Sequence, residues 1–337
     1  MQLPTSDPRR LRVLHIGGYW RGPNDMVRQM MLGLRAAGAD VLEYCTDDHP
    51  EALDSEGRAY DRGRFGPVWL RHEHLRGPVE RLEPHLIVCN AGGLSFRPDD
   101  ARRLRESRCL VGTALSDPDV FEPATRHIAP LFDAFLTNAP ACVERYQALG
   151  AAVAVLPVAT NEEFFHPVPA RAEMRCDVLV LGGAHPDRIE PVRALVARVR
   201  THVYGEGWTE HGIESRGLIY GDDVLAALNS ARMSVVFFRT AGGHDLVKVG
   251  LFDFAAAGAL VVTNRSPEVE RYLAYGREIV GFSTTEELLQ AVAHCLEHPD
   301  EADEIRRAGR ERVLRDHTWR VAWPRLLATV RSLSGRP

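Results

Sequence analysis

The segment CDVLVLGG, residues 176–183, decides the expected fold because it is a short apolar run that ends in two glycines. The segment LRVLHIGG, residues 11–18, repeats the pattern near the start of the chain. A short apolar run bounded by glycine is typical of a strand that is buried on both faces. An amphipathic helical stretch follows each run, so each segment predicts the first strand and helix of a parallel sheet.

Working outward from these two segments, apolar runs alternate with amphipathic stretches along the whole chain. Strands are predicted at residues 11–16, 41–44, 86–89, 109–115, 134–137 and 153–156, and again at 177–181, 201–204, 218–220, 234–238 and 260–263. Helices are predicted at residues 24–37, 141–149, 189–199, 224–231, 246–257, 286–296 and 301–314. The alternation stops at the proline-containing stretch 157–175, which indicates a crossing between two domains.

This pattern predicts an α/β protein with two doubly wound, Rossmann-like domains that face each other across a cleft. We expect residues 1–165 to form the first domain and residues 166–317 to form the second. The amphipathic tail 318–337, with Trp319 and Trp323 as packing anchors, is expected to cross back to the first domain. In such sheets ligands bind beyond the carboxyl ends of the strands, so the loops after strands are the candidate site.

Composition excludes several classes of protein. The formal net charge of −5 argues against extensive, sequence-independent binding of nucleic acid. The polar start of the chain is unlike a signal peptide, and no apolar run is long enough to suggest a membrane span. Six cysteines without metal-binding spacing suggest reduced, buried thiols, and we therefore expect a cytoplasmic protein without a bound metal.

Several short words in the second half resemble the glycosyltransferase group-1 family, and most closely its CgeB-like branch, named for spore maturation proteins. The words are VYGEGW at 203–208, GLIYG at 217–221, LFDFAAAGA at 251–259, YGRE at 275–278, AGRERVL at 308–314 and HT at 317–318. Weaker words in the first half are SDP at 116–118, LTN at 136–138 and LP at 156–157. The resemblance covers roughly residues 85–325.

The resemblance implies the GT-B fold and a nucleotide-sugar donor, UDP- or GDP-linked, bound by the second domain without a metal. It also implies a pair of glutamates separated by seven residues, the first near the donor sugar and the second near the ribose. In this chain the two positions are Asp245 and Asp253. The implied activity is a hexosyltransferase-type transfer to a hydroxyl acceptor, a small natural product or a glycan, with retention of configuration.

The residues before the predicted helix 246–257 form the main donor-site candidate. Gly242, Gly243 and His244 precede Asp245, and Lys248, the only lysine of the chain, would lie in the first helical turn. A helix N-terminus presents unpaired amide groups that attract phosphate, and glycines allow a close approach. Alternatively, Asp245 is only a helix cap and the glycines only a turn.

Further donor contacts are expected elsewhere in the second domain. Asp253 would lie about 12 Å along the helix from Asp245, a span that fits a sugar and a ribose; a surface salt bridge is the alternative role. The loop after the predicted strand 177–181 could hold phosphate through Gly182, Gly183 and Arg188, although an ordinary turn would have the same sequence. By resemblance, the backbone of Tyr220 and Gly221 flanks the nucleobase.

The first domain supplies the acceptor candidates. Gly18, Tyr19 and Trp20 follow the first strand, where aromatic rings could stack on an acceptor or simply pack against the domain. Asp117 follows the strand 109–115 and is expected to face the cleft as a base that deprotonates the acceptor. Its neighbour Pro118 also fits a simple Asp-Pro turn.

Two other functions fit the same sequence. One is a nucleotide-sugar epimerase or hydrolase, because a fold does not determine its reaction. The other is a non-catalytic binding or coat protein, because aspartates in place of both glutamates are what a decaying site would show.

Overall fold

The computed structural model describes residues 9, 11–18, 26–54, 68–91, 94–106, 108–240 and 242–335. The chain divides into two compact units. Unit 1 comprises Met1–Pro157 together with Trp319–Pro337, and unit 2 comprises Val158–Thr318. The expected domain boundary between residues 165 and 166 lies inside unit 2.

Unit 1 is built on a six-stranded parallel sheet with the strand order β2-β1-β5-β7-β8-β9. A small sheet of three short strands, in the order β3-β4-β6, accompanies it. The strands of the unit are β1 (Arg12–Gly17), β2 (Asp40–Cys45), β3 (Leu53–Asp54), β4 (Val68–Leu70), β5 (Leu86–Asn90), β6 (Leu94–Ser95), β7 (Cys109–Ala114), β8 (Ala134–Thr137) and β9 (Val153–Val155). Strand β7 is buried at every position, as its apolar sequence predicts.

Helices of unit 1 cover this sheet. The first five are α1 (Met26–Ala36), α2 (Arg76–Leu82), α3 (Pro98–Arg105), α4 (Arg126–Ile128) and α5 (Val143–Ala148). The last helix of the chain also belongs to unit 1, as the sequence predicts. This helix, residues Trp319–Ser334, packs against α1: the indole nitrogen of Trp323 donates a hydrogen bond of 2.7 Å to the carbonyl of Met30.

Unit 2 contains a five-stranded parallel sheet with the strand order β11-β10-β12-β13-β14. Its strands are β10 (Cys176–Leu181), β11 (Thr201–Tyr204), β12 (Ala231–Val236), β13 (Val261–Asn264) and β14 (Val280–Phe282). Its helices are α6 (Pro186–Val196), α7 (Asp222–Ser230), α8 (Gly250–Ala256), α9 (Pro267–Glu270), α10 (Thr285–Glu297) and α11 (Pro299–Asp316), and the last helix of the chain is therefore α12.

Alternating side chains of β10 enter two separate hydrophobic clusters. Leu179 packs with residues of α7 and α8, whereas Val178 and Val180 pack with residues of α6 and α10. Because successive side chains of a strand point to opposite faces, helices cover the sheet of unit 2 on both sides. The doubly wound, α/β fold expected from the sequence is therefore confirmed.

The strand order of unit 2 places a topological switch point between β10 and β12. The chain runs from β10 outward to β11, and then returns past β10 to β12 on the other side. At such a point the loops leaving the two central strands diverge, and the crevice between them is the usual ligand site of an open α/β sheet. The loops after β10 and β12 are therefore the first place to look for a site.

Two predictions for unit 2 are wrong in detail, and one strand was not predicted. Residues 218–220 form no strand, because they belong to a long surface loop that leads into α7. The helix predicted from residue 246 begins only at Gly250. Strand β14 went unpredicted, because a run of three residues carries too little periodicity.

Among the described residues, no helix combines the length and the apolar character that crossing a membrane would require.

Candidate functional site at the ends of β10 and β12

The loop after β10 is held tightly against the loop after β11. Gly182 has a φ of +121°, and its carbonyl accepts a hydrogen bond of 2.8 Å from the indole nitrogen of the buried Trp208. A Cβ atom built on Gly205 would lie 2.2 Å from the same carbonyl oxygen. Glycine is therefore required here for a left-handed backbone and for close contact between the two loops.

Arg188 joins the loops on either side of the switch point. It lies in the first turn of α6, with 8% of its surface exposed. Its guanidinium donates to the carbonyl of Gly183 at 3.1 Å and to the carbonyl of Arg239 at 3.2 Å. The first carbonyl follows β10 and the second follows β12, so one side chain fixes both loops that border the crevice.

The charge of Arg188 is poorly compensated. Among the described residues no carboxylate lies within ion-pair distance of it, and its buried Nε atom has no hydrogen-bond partner there. Burial lowers the pKa of Arg188, while the neighbouring Asp187 partly opposes this effect. A buried cation that lacks a counter-ion is costly, so this position favours an anionic ligand.

The loop after β12 forms a small hairpin. Arg239 and Asp245 pair as an antiparallel bridge, and the amide of Thr240 donates to the carbonyl of His244 at 2.9 Å. The Thr240 hydroxyl accepts a hydrogen bond of 3.1 Å from the amide of His244. Gly243, with a φ of +80°, completes the turn and has open space around it. The hairpin is thus ordered by its own backbone.

This hairpin corrects the expected helix N-terminus ahead of residue 246. Because Asp245 is held in the bridge to Arg239, it cannot cap a helix, and α8 starts five residues later at Gly250. Lys248 consequently lies before α8, half-buried, and not in its first turn. The predicted group Gly242, Gly243, His244 and Asp245 is exposed on the hairpin.

The side chain of Asp245 pairs with a residue that the sequence analysis missed. Arg239 donates from Nε to Asp245 Oδ1 at 3.2 Å, with 56% and 72% of the respective side chains exposed. A charged residue directly after a strand is the signal that could have indicated Arg239. The pair lies at the base of the same hairpin that Arg188 anchors.

Asp253 does not lie at the surface. It is 5% exposed on α8, and its Oδ1 accepts a hydrogen bond of 2.6 Å from the hydroxyl of Thr160. Burial raises the pKa of Asp253 to about 8, although the Thr160 hydrogen bond partly opposes this shift. This geometry does not support the predicted contact with a ribose, because the carboxyl group is enclosed and already partnered.

Asp117 is wrong as an exposed base. It is fully buried in unit 1, where its carboxylate accepts hydrogen bonds from Thr137 at 2.6 Å, Tyr146 at 2.7 Å and Thr125 at 3.3 Å. Burial raises the pKa of Asp117, although these hydrogen bonds oppose the shift. A carboxylate enclosed by three hydroxyl groups ties β8, α5 and the turn before α4 together and cannot reach an acceptor.

The remaining predicted residues lie in loops. Tyr220 is more than half exposed and Gly221, with a φ of +57°, has no neighbouring atom where a Cβ would be, so both border open space before α7. Gly18 follows β1 and is buried. Tyr19 and Trp20, the other acceptor candidates, lie outside the described residues.

Within the part of the chain that the structure describes, no group of three or more His, Cys, Asp or Glu side chains is arranged to hold a metal ion.

Comparison with known proteins identifies what this arrangement is similar to. A family model described as "Glycosyl transferase-like" matches residues 187–328, which include Arg188, the hairpin and α8. No curated protein matches the chain significantly.

Solved structures match over nearly the whole chain. Sucrose-phosphate synthase from Thermosynechococcus elongatus has a TM-score of 0.66 at 16% identity, and the match covers 97% of this chain and 100% of that one. AviGT4, a glycosyltransferase involved in avilamycin A biosynthesis, has a TM-score of 0.60 at 15% identity and coverages of 97% and 99%. Alr3699/HepE from Anabaena, in complex with UDP-glucose, has a TM-score of 0.59 at 11% identity and coverages of 95% and 98%.

Likenesses at these identities establish a shared fold. The chain has the Rossmann-like GT-B fold of glycosyltransferases, and its residues 187–328 are similar in sequence to that class of enzyme.

Proposed function

We propose that this protein is a glycosyltransferase that moves a sugar from a nucleoside diphosphate sugar, UDP- or GDP-linked, to a hydroxyl acceptor. The match of residues 187–328 to a glycosyltransferase family model supports the reaction class. The Anabaena neighbour in complex with UDP-glucose supports the donor class. The words of the sequence that resemble the CgeB-like branch support a hexosyl donor and no metal as parts of the same proposal. The six cysteines without metal-binding spacing support a cytoplasmic enzyme.

One observation carries the assignment of the donor site: the buried guanidinium of Arg188 lies at the switch point of unit 2 without a carboxylate partner among the described residues. Arginine has five N–H donors in a fixed plane, and the two carbonyl bonds leave donors for phosphate oxygens. Gly182 and Gly183 allow a diphosphate to approach the adjacent backbone.

The chemistry of transfer explains why cations are needed here. The bond between the anomeric carbon and the diphosphate oxygen breaks, and its electron pair leaves with the nucleoside diphosphate. The acceptor oxygen forms the new bond to the anomeric carbon, and its proton passes to the departing diphosphate oxygen. Negative charge therefore grows on the diphosphate in the transition state, and a preorganised guanidinium stabilises that charge.

The two aspartates have different roles in this proposal. Asp245, exposed on the hairpin, is the carboxylate that contacts the hydroxyl groups of the donor sugar. Retention of configuration rests on the family resemblance of the Asp245 and Asp253 positions, whereas Asp117 has no role in the proposal because it is buried. The acceptor contacts expected at Gly18, Tyr19 and Trp20 belong to the same proposal, as does a base contact at Tyr220 and Gly221.

Replacing Arg188 tests the donor site. We expect Arg188→Ala to weaken UDP or GDP binding about 10- to 100-fold, because it removes charge-assisted hydrogen bonds to phosphate. Isothermal titration calorimetry with each nucleotide measures the effect. Arg193→Ala is the matched control, because Arg193 is an exposed arginine on the same helix.

Arg188→Lys separates ligand binding from loop structure, since it keeps a charge but cannot bridge both carbonyls. Unchanged UDP and GDP affinity in both Arg188 variants, with folding verified by circular dichroism, would refute the proposed donor site.

Mass spectrometry of the products with and without a hydroxyl acceptor then identifies the reaction. An epimerised or freely hydrolysed sugar would favour the epimerase or hydrolase, and nucleotide binding without turnover would favour a non-catalytic protein.

A further inference from the structure

The ion pair between Arg239 and Asp245 occupies a distinctive position. Arg239 is the first residue of the hairpin, and its carbonyl accepts the hydrogen bond from Arg188. Its side chain extends along the hairpin and bonds Asp245 through a single N–H. Residue 239 thus brings two guanidinium groups together. That of Arg188, hydrogen-bonded to its carbonyl, is buried without a carboxylate partner among the described residues, and its own is exposed and paired with Asp245.

The pair is weakly held. More than half of each side chain is exposed, and the contact uses Nε only, at 3.2 Å. Exposed ion pairs of this kind contribute little because water and salt screen them. A bidentate contact between arginine and phosphate is stronger and directional. The guanidinium of Arg239 can therefore exchange a carboxylate for a phosphate without disrupting the fold.

The hairpin backbone keeps both partners in place during such an exchange. Thr240 is buried and pairs with His244 through both its amide and its hydroxyl. The bridge between Arg239 and Asp245 is a backbone contact as well as a side-chain contact. Only side-chain rotation is required, and Asp245 stays beside the site after it loses its partner.

We propose that Arg239 is a switching residue of the donor site. In the free protein its guanidinium neutralises Asp245. When the donor binds, the guanidinium turns to the diphosphate beside Arg188, and the released carboxylate of Asp245 accepts hydrogen bonds from the hydroxyl groups of the donor sugar. This inference rests on the proposed function. It adds Arg239 as the residue that links recognition of the diphosphate to recognition of the donor sugar.

The exchange has a consequence for the free nucleotide. Bound UDP takes Arg239 away from Asp245 but brings no sugar hydroxyl groups to replace it, so binding UDP costs the carboxylate its only side-chain partner among the described residues. The pair therefore weakens the binding of the released nucleotide and aids its departure. Neutralising Asp245 should tighten UDP binding, which is the opposite of what removing an ordinary ligand contact would do.

A double-mutant cycle measured by calorimetry tests this exchange, with UDP and inorganic pyrophosphate as probes. We expect Asp245→Asn to tighten binding of both probes about threefold, the size expected when an exposed ion pair no longer competes. We expect Arg239→Ala to weaken binding, and Asp245→Asn to give little further change in the Arg239→Ala background. Such non-additivity is the signature of a shared interaction.

Two further variants control the measurement. Arg239→Lys keeps the charge and should retain part of the gain from Asp245→Asn. Asp303→Asn removes an exposed carboxylate that pairs with Arg306 on α11, in the same unit, and should leave affinity unchanged. Thermal melting of each variant establishes that the fold is intact.

The outcomes separate this inference from the proposed function. If Arg188→Ala weakens UDP binding but Asp245→Asn does not tighten it, the donor site stands and the exchange is refuted. An equal gain from Asp245→Asn with and without Arg239 also refutes the exchange, since it would reflect general repulsion. If the unmodified protein binds neither UDP nor GDP nor pyrophosphate, both proposals fail.

Discussion

At the scale of single residues, the three aspartates singled out in the sequence have two kinds of environment. Asp245 is exposed and paired with Arg239, whereas Asp117 and Asp253 are buried and accept hydrogen bonds from hydroxyl groups. A carboxyl group that is buried without a cation is stabilised in its neutral form. Burial therefore turns Asp253 from an expected ligand contact into a titratable group of the core.

The pH dependence of stability tests the environment of Asp253. Its pKa is raised to about 8, so the unfolded chain loses this proton at a lower pH than the folded chain. The stabilisation is complete below the ordinary pKa of about 4 and is lost as pH rises through about 8. We expect Asp253→Asn to flatten the decline in the urea midpoint across that window.

Asp303→Asn is the control for this experiment, because Asp303 is exposed. It should leave the profile of the unmodified protein unchanged. A profile of Asp253→Asn that still declines as steeply would mean that Asp253 is ionised in the fold. Retention of UDP affinity in Asp253→Asn would additionally place the ribose contact elsewhere.

At the scale of elements, close packing between α1 and α12 explains how the last helix joins unit 1. A Cβ atom on Gly33 would lie 2.2 Å from the Cβ atom of Trp319, so α12 approaches α1 at a glycine. The buried indoles of Trp319 and Trp323 then pack against the unit. Small residues permit the contact and large ones supply the buried area.

Gly33→Ala should therefore destabilise the protein. Overpacking costs about 1–3 kcal/mol, and the gain from replacing a helical glycine, about 0.5–1 kcal/mol, offsets only part of it. The loss should appear as a lower urea midpoint. Gly77→Ala on α2 is the control: no atom lies within 4 Å of its Cβ position, so its midpoint should stay or rise. Equal midpoints for both variants would contradict the close approach.

The start of α8 shows where element boundaries escape a sequence pattern. The apolar spacing from Leu246 to Ala257 fits a continuous helix, yet α8 covers only Gly250–Ala256. The bridge to Arg239 holds Asp245 in the hairpin, and Val247 is buried in the core. Tertiary contacts have overridden local propensity, and the residues of the expected anion site lie on a hairpin instead of at a helix end.

At the scale of the whole molecule, the chain enters unit 2 and leaves it side by side. Thr160 and Thr318 form a parallel bridge, and the amide of Thr160 donates to the carbonyl of His317 at 3.0 Å. Asp253 holds the hydroxyl of Thr160. Both ends of the segment 158–318 are thus fastened within the unit that contains Arg188, Arg239 and Asp245.

We therefore expect the segment 158–318 to fold by itself and to bind UDP. Its termini are adjacent, its core is its own, and the residues of the proposed donor site are all internal. Circular dichroism and calorimetry on the isolated segment check this expectation against the full chain. A folded segment that has lost UDP affinity would show that unit 1 contributes to donor binding. The same segment with Arg188→Ala serves as the negative control.

The sequence by itself determined the alternation of strands and helices and the duplication of the α/β pattern. These features follow from local periodicity and from glycines at strand ends, which a linear chain displays directly. Most predicted strands accordingly lie within a residue or two of their observed positions.

Only the tertiary structure decided which polar groups are exposed and what they contact. Thr160 and Asp253 are 93 residues apart, Arg188 and Arg239 are 51 apart, and Asp117 and Tyr146 are 29 apart. Burial and hydrogen bonding depend on neighbours that the fold brings together, and these set the charge and accessibility of a side chain. The sequence could therefore indicate the loops of the site, but not which of their charged residues are exposed to a ligand.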